Sequence, residues 1–336
     1  MSHRSLILGG TGFIGLHLAR RLTQVAGPCD EIVLADNLSR GHRDSMVEEL
    51  LTMNRNVRLL ELDLSRQEAY AALGDGFDHV YLLASMVGVR CAETRPEDVL
   101  KINTTIILGA LEWMASSGSR RLFFSSTSEN YAGGYEFGII PIPTPERVPL
   151  VISEIGNPRF SYAVTKIWGE AASIFYGAHH GFTSIIGRYH NVYGPRMGYG
   201  HVIPELSQRI LTGEEPLKVM SPDQTRAFCY ITDAVEATRL LMEAQVQNGL
   251  IVNIGNDREE IQIGALAQRL LRLAGRPPVF ETRPAPRGSV PRRAPAIDLL
   301  RELTGFEPAV PIDSGLAETF AWYRQHPSDD TRVGCM

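Results

Sequence analysis

Lysine and cysteine are scarce in this chain of 336 residues, and it has neither a basic excess nor a long apolar run. Its 38 acidic residues outnumber its 33 basic ones, so the formal net charge is -5 and no basic field is available to hold a nucleic-acid backbone. No apolar run approaches the roughly 20 residues that a membrane-spanning helix needs. The short approach to the first apolar strand leaves no room for a secretory signal. We therefore expect a cytoplasmic protein that binds neither nucleic acid nor membranes.

The few cysteines exclude a further class of site. They are widely separated in sequence, form no Cys-x-x-Cys pair, and do not cluster with histidine at metal-ligand spacing. We expect no metal site, and we expect reduced thiols at Cys29, Cys91, Cys229 and Cys335.

The first 126 residues alternate short apolar runs with stretches of helical periodicity. This βαβα pattern is typical of a parallel sheet covered by helices on both faces, and right-handed crossovers make such a sheet doubly wound. The predicted strands are 6–8, 31–36, 57–63, 79–83 and 121–126, with another at 184–189. The clearest helices are predicted at 13–25 and 99–117.

The rest of the chain is less regular. Residues 132–158 are rich in glycine and proline and are predicted to form a long loop, after which helical periodicity resumes at Phe160. Later helices are predicted at 234–245, 263–273 and 314–326. We predict an α/β fold in which residues 1–190 form most of a Rossmann-type doubly wound domain. Residues 191–336 would mainly form a smaller, discontinuous substrate-binding lobe, with segments returning to the first domain.

A glycine-rich turn follows the first predicted strand directly. Gly9, Gly12 and Gly15 recur at three-residue spacing where a helix begins. Glycine there serves a tight turn, a close approach of backbone to pyrophosphate, and close packing of helix on strand. Glycine turns also occur for steric reasons alone, but the strand and the helix that the motif requires are both present. We predict a dinucleotide site, with Phe13 and Ile14 at the start of its helix.

Acidic residues end the next two predicted strands. Asp36 stands about 20 residues after the glycine turn, where it can accept hydrogen bonds from an adenosine ribose and repel a 2′-phosphate. This position favours NAD over NADP, although Arg40 could pair with such a phosphate and Asp36 could be a simple turn residue. Asp63 is a candidate partner for the adenine amine or, alternatively, a helix N-cap.

Tyr162 and Lys166 are the most informative pair in the sequence. Four residues apart on a predicted helix, they share one face, so the ammonium can lower the pKa of the phenol and reach a cofactor ribose. Because the chain has only three lysines, a chance tyrosine at this spacing is the weaker explanation. Thr127 or Ser128, at the carboxyl end of the fifth strand, can hydrogen-bond the hydroxyl being oxidised, although such residues also cap turns.

Taken together, these segments resemble the extended short-chain dehydrogenases, also called the NAD-dependent epimerase/dehydratase family. The similarity spans nearly the whole chain and rests on GGTGFIG, ADNLS, LLAS, KINTT, SSTSENY, SYAVTK, RYHNVYGPR, QTRAFCYITDAVEA and VPRRAPAIDLLRELTGFEP. The resemblance implies NAD as cofactor and a nucleotide sugar as substrate. It also implies that Tyr162 is the base, Lys166 its electrostatic helper and Thr127 the hydroxyl-binding partner.

The resemblance implies further contacts and a homodimer that pairs through helices of the nucleotide-binding half, including the helix of Tyr162. Asn191, Arg226 and Arg292 would line the nucleotide-diphosphate end of the sugar site with Val202, although either arginine could simply be solvated. The further cofactor contacts expected from the matching segments are Asn37, Ser39, Leu64, Leu83, Ala84, Ser85, Asn103, Tyr189 and Val192.

The chain departs from the family pattern at two places. Ser85 replaces an alanine, which we expect to be harmless. Residues 130–132 read Asn-Tyr-Ala where Val-Tyr-Gly is usual. This second change reshapes the loop beside the sugar and leaves the identity of the substrate open.

Two signatures compete for the reaction that follows oxidation of the sugar. Family members oxidise a sugar carbon with NAD and then return the hydride to the opposite face, lose carbon dioxide, or lose water. Glu129, in a Thr-Ser-Glu triplet, resembles decarboxylases and 4,6-dehydratases, where an acid assists the later chemistry, and GPRM with QTRAF resembles UDP-glucuronate decarboxylases. Residues 87–90 resemble UDP-uronate 4-epimerases, in which Arg90 would suit a carboxylate, although Arg90 could equally be a solvent-exposed helix residue.

We expect an epimerase acting on a UDP-hexose or UDP-uronate, with a decarboxylase or a dehydratase as alternatives. A non-catalytic NAD-binding regulator would predict a damaged Tyr–Lys pair, and this pair is intact. A reductase that uses free NADPH has only Arg40 in its support.

Overall fold

The structure is a computed structural model that describes residues 2–27, 29–285 and 290–327. Its strands are β1 Arg4–Leu8, β2 Glu31–Asp36, β3 Val57–Glu61, β4 His79–Leu82, β5 Arg121–Thr127, β6 Thr183–Tyr189, β7 Val192–Tyr193, β8 Leu217–Met220, β9 Thr225–Ala227, β10 Cys229–Tyr230, β11 Leu250–Ile254, β12 Glu260–Gln262, β13 Phe280–Arg283 and β14 Arg292–Arg293. Its α-helices are α1 Phe13–Val25, α2 Ser45–Met53, α3 Val89–Thr94, α4 Pro96–Ser116, α5 Ala132–Glu136, α6 Phe160–His180, α7 Val202–Leu211, α8 Ile231–Glu243, α9 Ile263–Leu273, α10 Asp298–Thr304 and α11 Ile312–Gln325. Short 3₁₀ helices span Gln67–Ala72 and Ser128–Tyr131.

A seven-stranded parallel sheet, ordered β3-β2-β1-β4-β5-β6-β11, forms the centre of the fold. The order proceeds outward from β1 in both directions, so the sheet is doubly wound and changes direction between β1 and β4. In such sheets, ligands bind beyond the carboxyl ends of the strands at that change of direction. The predicted Rossmann-type fold class is confirmed.

Apolar side chains cover both faces of this sheet. In β1, Leu6, Ile7 and Leu8 are all fully buried. Ile7 packs in the core that contains residues of α1 and α8, whereas Leu6 and Leu8 pack in the core that contains residues of α4. Burial on both faces explains why the strand reads as a continuous apolar run rather than an alternating one.

The last third of the chain contributes directly to the main sheet. Strand β11 completes the sheet beside β6, and α8 packs against α1. The remaining strands form small sheets, ordered β12-β9-β14, β13-β8 and β10-β7. A smaller lobe that begins near residue 191 stays a prediction.

Two local expectations are wrong. Residues 132–158 are not all loop, because α5 opens this stretch, and the Tyr135 hydroxyl on α5 lies 2.6 Å from Thr144 Oγ1 further along it. Cys91 is disulfide-bonded, which sequence spacing gave no means to foresee, whereas Cys29 and Cys229 are free thiols as expected. Cys335 lies outside the described residues. None of the helices in the described ranges is both long enough and apolar enough to cross a bilayer.

Candidate active site

The glycine turn after β1 is packed too closely to accept larger residues. Gly9 has a φ of +87°, and a Cβ atom there would lie 2.6 Å from the backbone nitrogen of Ala84. A Cβ atom on Gly15, in the first turn of α1, would overlap the carbonyl oxygen of Gly9. The strand, turn and helix are thus held at the close approach that leaves the N-terminus of α1 open to a phosphate group.

Asp36 connects this turn to the loop after β2. Its Oδ2 accepts a hydrogen bond from the Thr11 nitrogen at 3.1 Å, and its Oδ1 accepts one from the Leu38 nitrogen at 2.9 Å. Beyond it, Asn37 Oδ1 accepts hydrogen bonds from the nitrogen and the hydroxyl of Ser39, at 3.1 and 2.7 Å. The carboxylate therefore has a structural role as well as the expected place at the end of β2.

The loops after β3 and β4 form the next part of the cleft. Asp63 accepts hydrogen bonds from the nitrogen and hydroxyl of Ser65, so it closes a turn, and buried Leu64 follows it. Leu83 and Ala84 both donate from their backbone nitrogens to the Leu8 oxygen, at 2.9 and 2.8 Å.

Two buried hydroxyls in this region fit a bound cofactor. Among the described residues, neither Ser85 Oγ nor Thr11 Oγ1 has a hydrogen-bond partner. Buried polar atoms are nearly always satisfied, so a dinucleotide with its hydroxyl and phosphate oxygens is a suitable partner for them. The glycine turn, Asp36 and these hydroxyls together fit a dinucleotide in the cleft.

The other expected cofactor residues act within the protein. Asn103 on α4 accepts a hydrogen bond from the Met86 nitrogen at 2.7 Å and donates one to the Met86 oxygen at 3.1 Å, which fixes the loop after β4. The Tyr189 hydroxyl lies 2.6 Å from Thr238 Oγ1, and Val192 is buried in the apolar core. Direct contact of these side chains with the cofactor stays a prediction.

Helix α6 places Tyr162 and Lys166 on one face, one turn apart. The Lys166 Nζ lies 5.6 Å from the centre of the Tyr162 ring and donates a hydrogen bond to the Ser125 oxygen at 2.9 Å. Burial lowers the pKa of Lys166 to about 7, while the Glu170 carboxylate opposes this fall. Burial and the negative charge of Glu129 raise the pKa of Tyr162. The phenol therefore needs a nearby cation if it is to ionise near neutral pH.

The end of β5 faces this helix with the predicted hydroxyl groups. Thr127 Oγ1 accepts a hydrogen bond from the Glu129 nitrogen at 3.2 Å and so caps the 3₁₀ turn. The capping alternative is therefore realised, but the hydroxyl keeps its own proton and can still donate it to a substrate oxygen. Ser128 is buried beside it.

Arginines surround Glu129. The Nη1 of Arg293 lies 2.5 Å from Glu129 Oε1, and the Nη2 of Arg159 lies 3.5 Å from Oε2. Burial alone would raise the pKa of Glu129, but the charges of Arg293 and Arg159 and the hydrogen bond from Arg293 lower it to about 2. Burial and the charge of Arg293 lower the pKa of Arg226 to about 10. Glu129 is therefore a carboxylate at neutral pH, in a cluster that has more positive than negative side chains.

The structure does not bring Arg292 or Arg90 into this cluster. Arg292 is exposed and forms a two-point ion pair with Glu260 at 2.8 and 2.9 Å. Its neighbour Arg293 points to the opposite side of β14 and has a side chain that is only 5% exposed. Because neighbouring residues of a strand face opposite ways, Arg293, and not Arg292, lies against Glu129. Arg90 is exposed on α3.

Asn191 and Val202 flank the same region. Asn191 adopts a φ of 40° and donates from Nδ2 to the Ala227 oxygen at 3.1 Å, so it joins the turn after β6 to β9. Val202 begins α7 and is partly buried. Arg40 donates to the Val87 oxygen at 2.7 Å.

Sequence reasoning missed three arginines. Arg159 stands three residues before Tyr162, a spacing that places both side chains on one helical face. Arg196, in the Gly-Pro-Arg segment, has a 7% exposed side chain that pairs with Asp44 at 2.6 Å and donates to the oxygens of Thr11, Gly41 and His42. The spacing of Arg159 from Tyr162 and the motif around Arg196 offered a signal, and Arg293 stands next to the expected Arg292 in the VPRRAP segment.

Known proteins resemble the chain over almost its whole length. A family model described as the NAD dependent epimerase/dehydratase family matches residues 5–255. A UDP-N-acetyl-alpha-D-glucosaminuronate decarboxylase of Bacillus cytotoxicus is 33% identical and covers 98% of this chain and 100% of its own length. UDP-glucuronic acid decarboxylase 1 of Xenopus tropicalis is 31% identical and covers 96% of this chain and 72% of its own.

The solved structures give the same picture. A UDP-glucose 4-epimerase of Thermotoga maritima with UDP-glucose has a TM-score of 0.81 and 27% identity, over 97% of this chain and 100% of its own. A dTDP-glucose 4,6-dehydratase of Streptomyces venezuelae has a TM-score of 0.84 over 96% of this chain and 97% of its own, and at 24% identity it supports the fold alone. The chain belongs to the NAD-dependent epimerase/dehydratase family and is an NAD-dependent enzyme of that family.

Proposed function

We propose that this enzyme removes carbon dioxide from a UDP-linked uronic acid after oxidising the sugar at C4. The observation that carries the proposal is the ionised Glu129 beside Tyr162, held by Arg293 and Arg159. Returning a hydride to the opposite face of a sugar requires no such cluster. The proposal therefore departs from the epimerase that we expected from the sequence.

The first step uses the helix and the strand end. The bound NAD would supply the acceptor, and in its reduced form the donor, of the hydride that leaves and returns to the sugar. Tyr162 takes the proton of the C4 hydroxyl, Thr127 hydrogen-bonds the same oxygen, and Lys166 supplies positive charge that stabilises the phenolate. Lys166 is 2% exposed, so water screens the charge of its protonated form only weakly.

The second step follows from the position of the new ketone. A ketone at C4 is β to the C6 carboxylate, so the C5–C6 bond can break with loss of carbon dioxide. The electron pair of that bond then forms an enolate across C4, C5 and the C4 oxygen. A proton from water replaces the lost carboxylate at C5, after which the hydride returns to C4 and Tyr162 gives its proton back to the C4 oxygen. Arg159, Arg226 and Arg293 bring more positive charge than Glu129 offsets, which suits a substrate that carries a carboxylate and a diphosphate.

The structure changes the role that we propose for Glu129. With a pKa lowered to about 2, this residue has no proton to give near neutral pH, so it is a poor proton donor for the enolate. We propose instead that it holds Arg159 and Arg293 in place for the substrate. Relatives that are named as decarboxylases of glucuronate and of N-acetylglucosaminuronate support a UDP-uronate as the substrate class.

An epimerase is the second candidate. It is supported by the 27% identity to UDP-glucose 4-epimerase, because Tyr162, Lys166 and Thr127 suffice for that reaction. The test is to incubate the purified protein with UDP-glucuronate, UDP-N-acetylglucosaminuronate and UDP-glucose and to determine the product masses. Loss of carbon dioxide from a uronate supports the proposal. An unchanged mass with altered NMR couplings would identify an epimerase, and loss of water a dehydratase.

A pair of variants tests the role of Glu129. Glu129→Gln keeps the shape but loses two charge-assisted contacts, so turnover of the uronate should fall about tenfold or more. Glu260→Gln is the matched control, since it removes a carboxylate paired with an arginine outside the cluster, and it should leave turnover unchanged. Equal turnover in the two variants would contradict the proposed role.

We also propose a homodimer, as expected from the sequence. Leu100 on α4 and Trp168 and Phe175 on α6 are apolar and 41%, 39% and 72% exposed. Trp168 and Phe175 are seven residues apart and so lie on one face of their helix. A monomer in light scattering at micromolar concentration would contradict this assignment.

A further inference from the structure

Glu170 lies one turn after Lys166 on α6 and is buried, with 4% of its surface exposed. Its Oε1 accepts hydrogen bonds from the Ser126 hydroxyl at 2.5 Å, the Asn130 side-chain nitrogen at 2.9 Å and the Arg188 Nε at 2.8 Å. Its Oε2 accepts a further one from the Arg188 Nη2 at 2.6 Å. One carboxylate thus connects α6, the end of β5 and strand β6.

Two of these contacts flank the residues at the end of β5 that we assign to the reaction. Ser126 and Asn130 stand immediately before and after residues 127–129, which carry Thr127 and Glu129. Both bracketing residues bind the carboxylate, and Asn130 Nδ2 also donates to the Ser126 hydroxyl at 3.1 Å. The position of Thr127 relative to Tyr162 is therefore set through Glu170, because α6 carries both Tyr162 and Glu170.

We propose that Glu170 is a positioning residue for the oxidation step, which fixes residues 126–130 against α6 and maintains the positive charge of Lys166. It does not contact the reacting atoms. The proposal requires only the NAD-dependent oxidation that the family shares, and so it holds whichever reaction follows.

The charges around Lys166 support the second part of this role. Burial lowers the pKa of Lys166 to about 7, and Glu170 is the charged group that raises it. Elsewhere around the ammonium, Tyr162 contributes a neutral ring, β5 contributes the Ser125 oxygen and the Phe124 ring, and Arg188 of β6 is paired to Glu170. Loss of the carboxylate would leave Lys166 with burial alone and would deprotonate it at lower pH.

The rest of the network satisfies the remaining hydrogen-bonding groups of the buried Glu170–Arg188 pair. Arg188 donates to the Tyr131 hydroxyl at 2.8 Å and the Glu146 oxygen at 3.0 Å, and Tyr131 donates to Asn253 Oδ1 at 2.9 Å. A buried ion pair persists only when its remaining hydrogen-bonding groups are satisfied in this way. Tyr131 therefore offers a control position in the same network that carries no charge.

The experiment compares Glu170→Gln, the double variant Glu170→Met/Arg188→Met, and Tyr131→Phe as the matched control. Glu170→Gln leaves the Arg188 charge buried without its partner and should lower the yield of folded protein, whereas replacing both members of a buried pair with apolar residues is often tolerated. Each NAD-bound protein is assayed for turnover across pH with UDP-glucuronate and with UDP-glucose. Folding is followed by circular dichroism.

In the double variant, the alkaline limb of the turnover profile should move to lower pH, because Lys166 loses the carboxylate that raises its pKa. The shift should be smaller than the unit or more produced by a single close opposite charge, since Arg188 is removed together with Glu170. Tyr131→Phe should lower the stability of the fold but leave the alkaline limb of the turnover profile at the wild-type pH. Glu170→Asp keeps the charge but is too short for all four contacts, so it should lower turnover without moving the limb. A wild-type limb in the folded double variant would overturn the proposal, as would failure of Glu170→Gln and the double variant to fold.

If wild-type protein converts neither sugar, the titration of Lys166 itself decides instead. The chain has three lysines, so NMR of ¹³C-labelled lysine can follow them, and the spectrum of Lys166→Met identifies the Lys166 signal. The proposal requires the titration of Lys166 to move to lower pH in the double variant than in the wild type, because Glu170 no longer raises its pKa. An unchanged titration would overturn it.

Discussion

Helix α6, with Tyr162 and Lys166, and the arginine cluster around Glu129 lie at one site, but their residues come from the chain in different ways. Tyr162 and Lys166 come from a single helix, so the geometry of the helix alone fixes their relation. The cluster draws Arg226 and Arg293 from short strands far along the chain. The groups for oxidation are therefore set locally, whereas the groups that we assign to substrate recognition depend on how separate segments pack.

The largest loss of turnover should come from a substitution on α6. Tyr162→Phe removes the titrating hydroxyl and keeps the ring, so the fold should survive while turnover falls by about 10² to 10⁴, the usual effect of losing an acid–base group. Product mass on the nucleotide sugar that the wild type converts measures this, and circular dichroism checks the fold. Turnover close to wild type would remove Tyr162 from its assigned role.

Substitutions of two neighbouring residues test the arginine cluster around Glu129. Arg293→Met leaves Glu129 without its closest partner, and turnover should fall about 10- to 100-fold, since a hydrogen bond between charged groups contributes about 1.5–3 kcal/mol. Arg292→Met breaks an exposed pair with Glu260, which contributes at most about 1 kcal/mol of stability, and turnover should not change. Equal kinetic effects at the two positions would mean that the cluster does not act on the substrate.

A smaller change is expected at the adenosine end of the site. Asp36→Asn removes the charge that would repel a 2′-phosphate while keeping an oxygen for the Thr11 nitrogen. The preference for NAD over NADP should fall by about tenfold, as for one charge-assisted contact. Calorimetry with both cofactors measures the ratio. A wild-type protein that already prefers NADP would overturn the assignment of Asp36.

The smallest effect concerns stability at low pH. The pKa of Glu129 is lowered to about 2, below the value of roughly 4.3 for a free glutamate, so its ion pairs stabilise the fold at higher pH. This contribution is fully present above about pH 4.3 and is lost as pH falls through about 2. Urea unfolding of wild type and Glu129→Gln should therefore differ near neutral pH and converge toward pH 2. A difference that persists there would contradict the assigned pairing.

The contrast between α6 and the arginine cluster also explains which features could be predicted from the sequence. Each strand of the main sheet that was predicted lies within two residues of its observed bounds, because buried parallel strands are continuous apolar runs between helical segments. The pairing of Tyr162 with Lys166 could also be predicted, because both residues lie on one helix. Arg293 could not be, because β14 is two residues long and its pairing with β9 decides which side chain faces Glu129.

The reaction itself was the hardest feature to predict. The sequence contained both the Thr-Ser-Glu triplet and an arginine at position 90, and nothing in it gave their relative placement. Only the structure shows Arg90 at the surface and Glu129 among arginines. A substrate site assembled from separate segments has no periodicity that a single sequence could reveal.

Arg196 has a consequence for motion. One side chain from the segment after β7 contacts the Thr11 oxygen of the glycine turn and, in residues 41–44, two backbone oxygens and the Asp44 carboxylate. Separating any one of these three stretches would leave a buried cation without part of its partners. We expect the three stretches to open together. Exchange of the cofactor, and hydrogen exchange along all three stretches, would then share one rate.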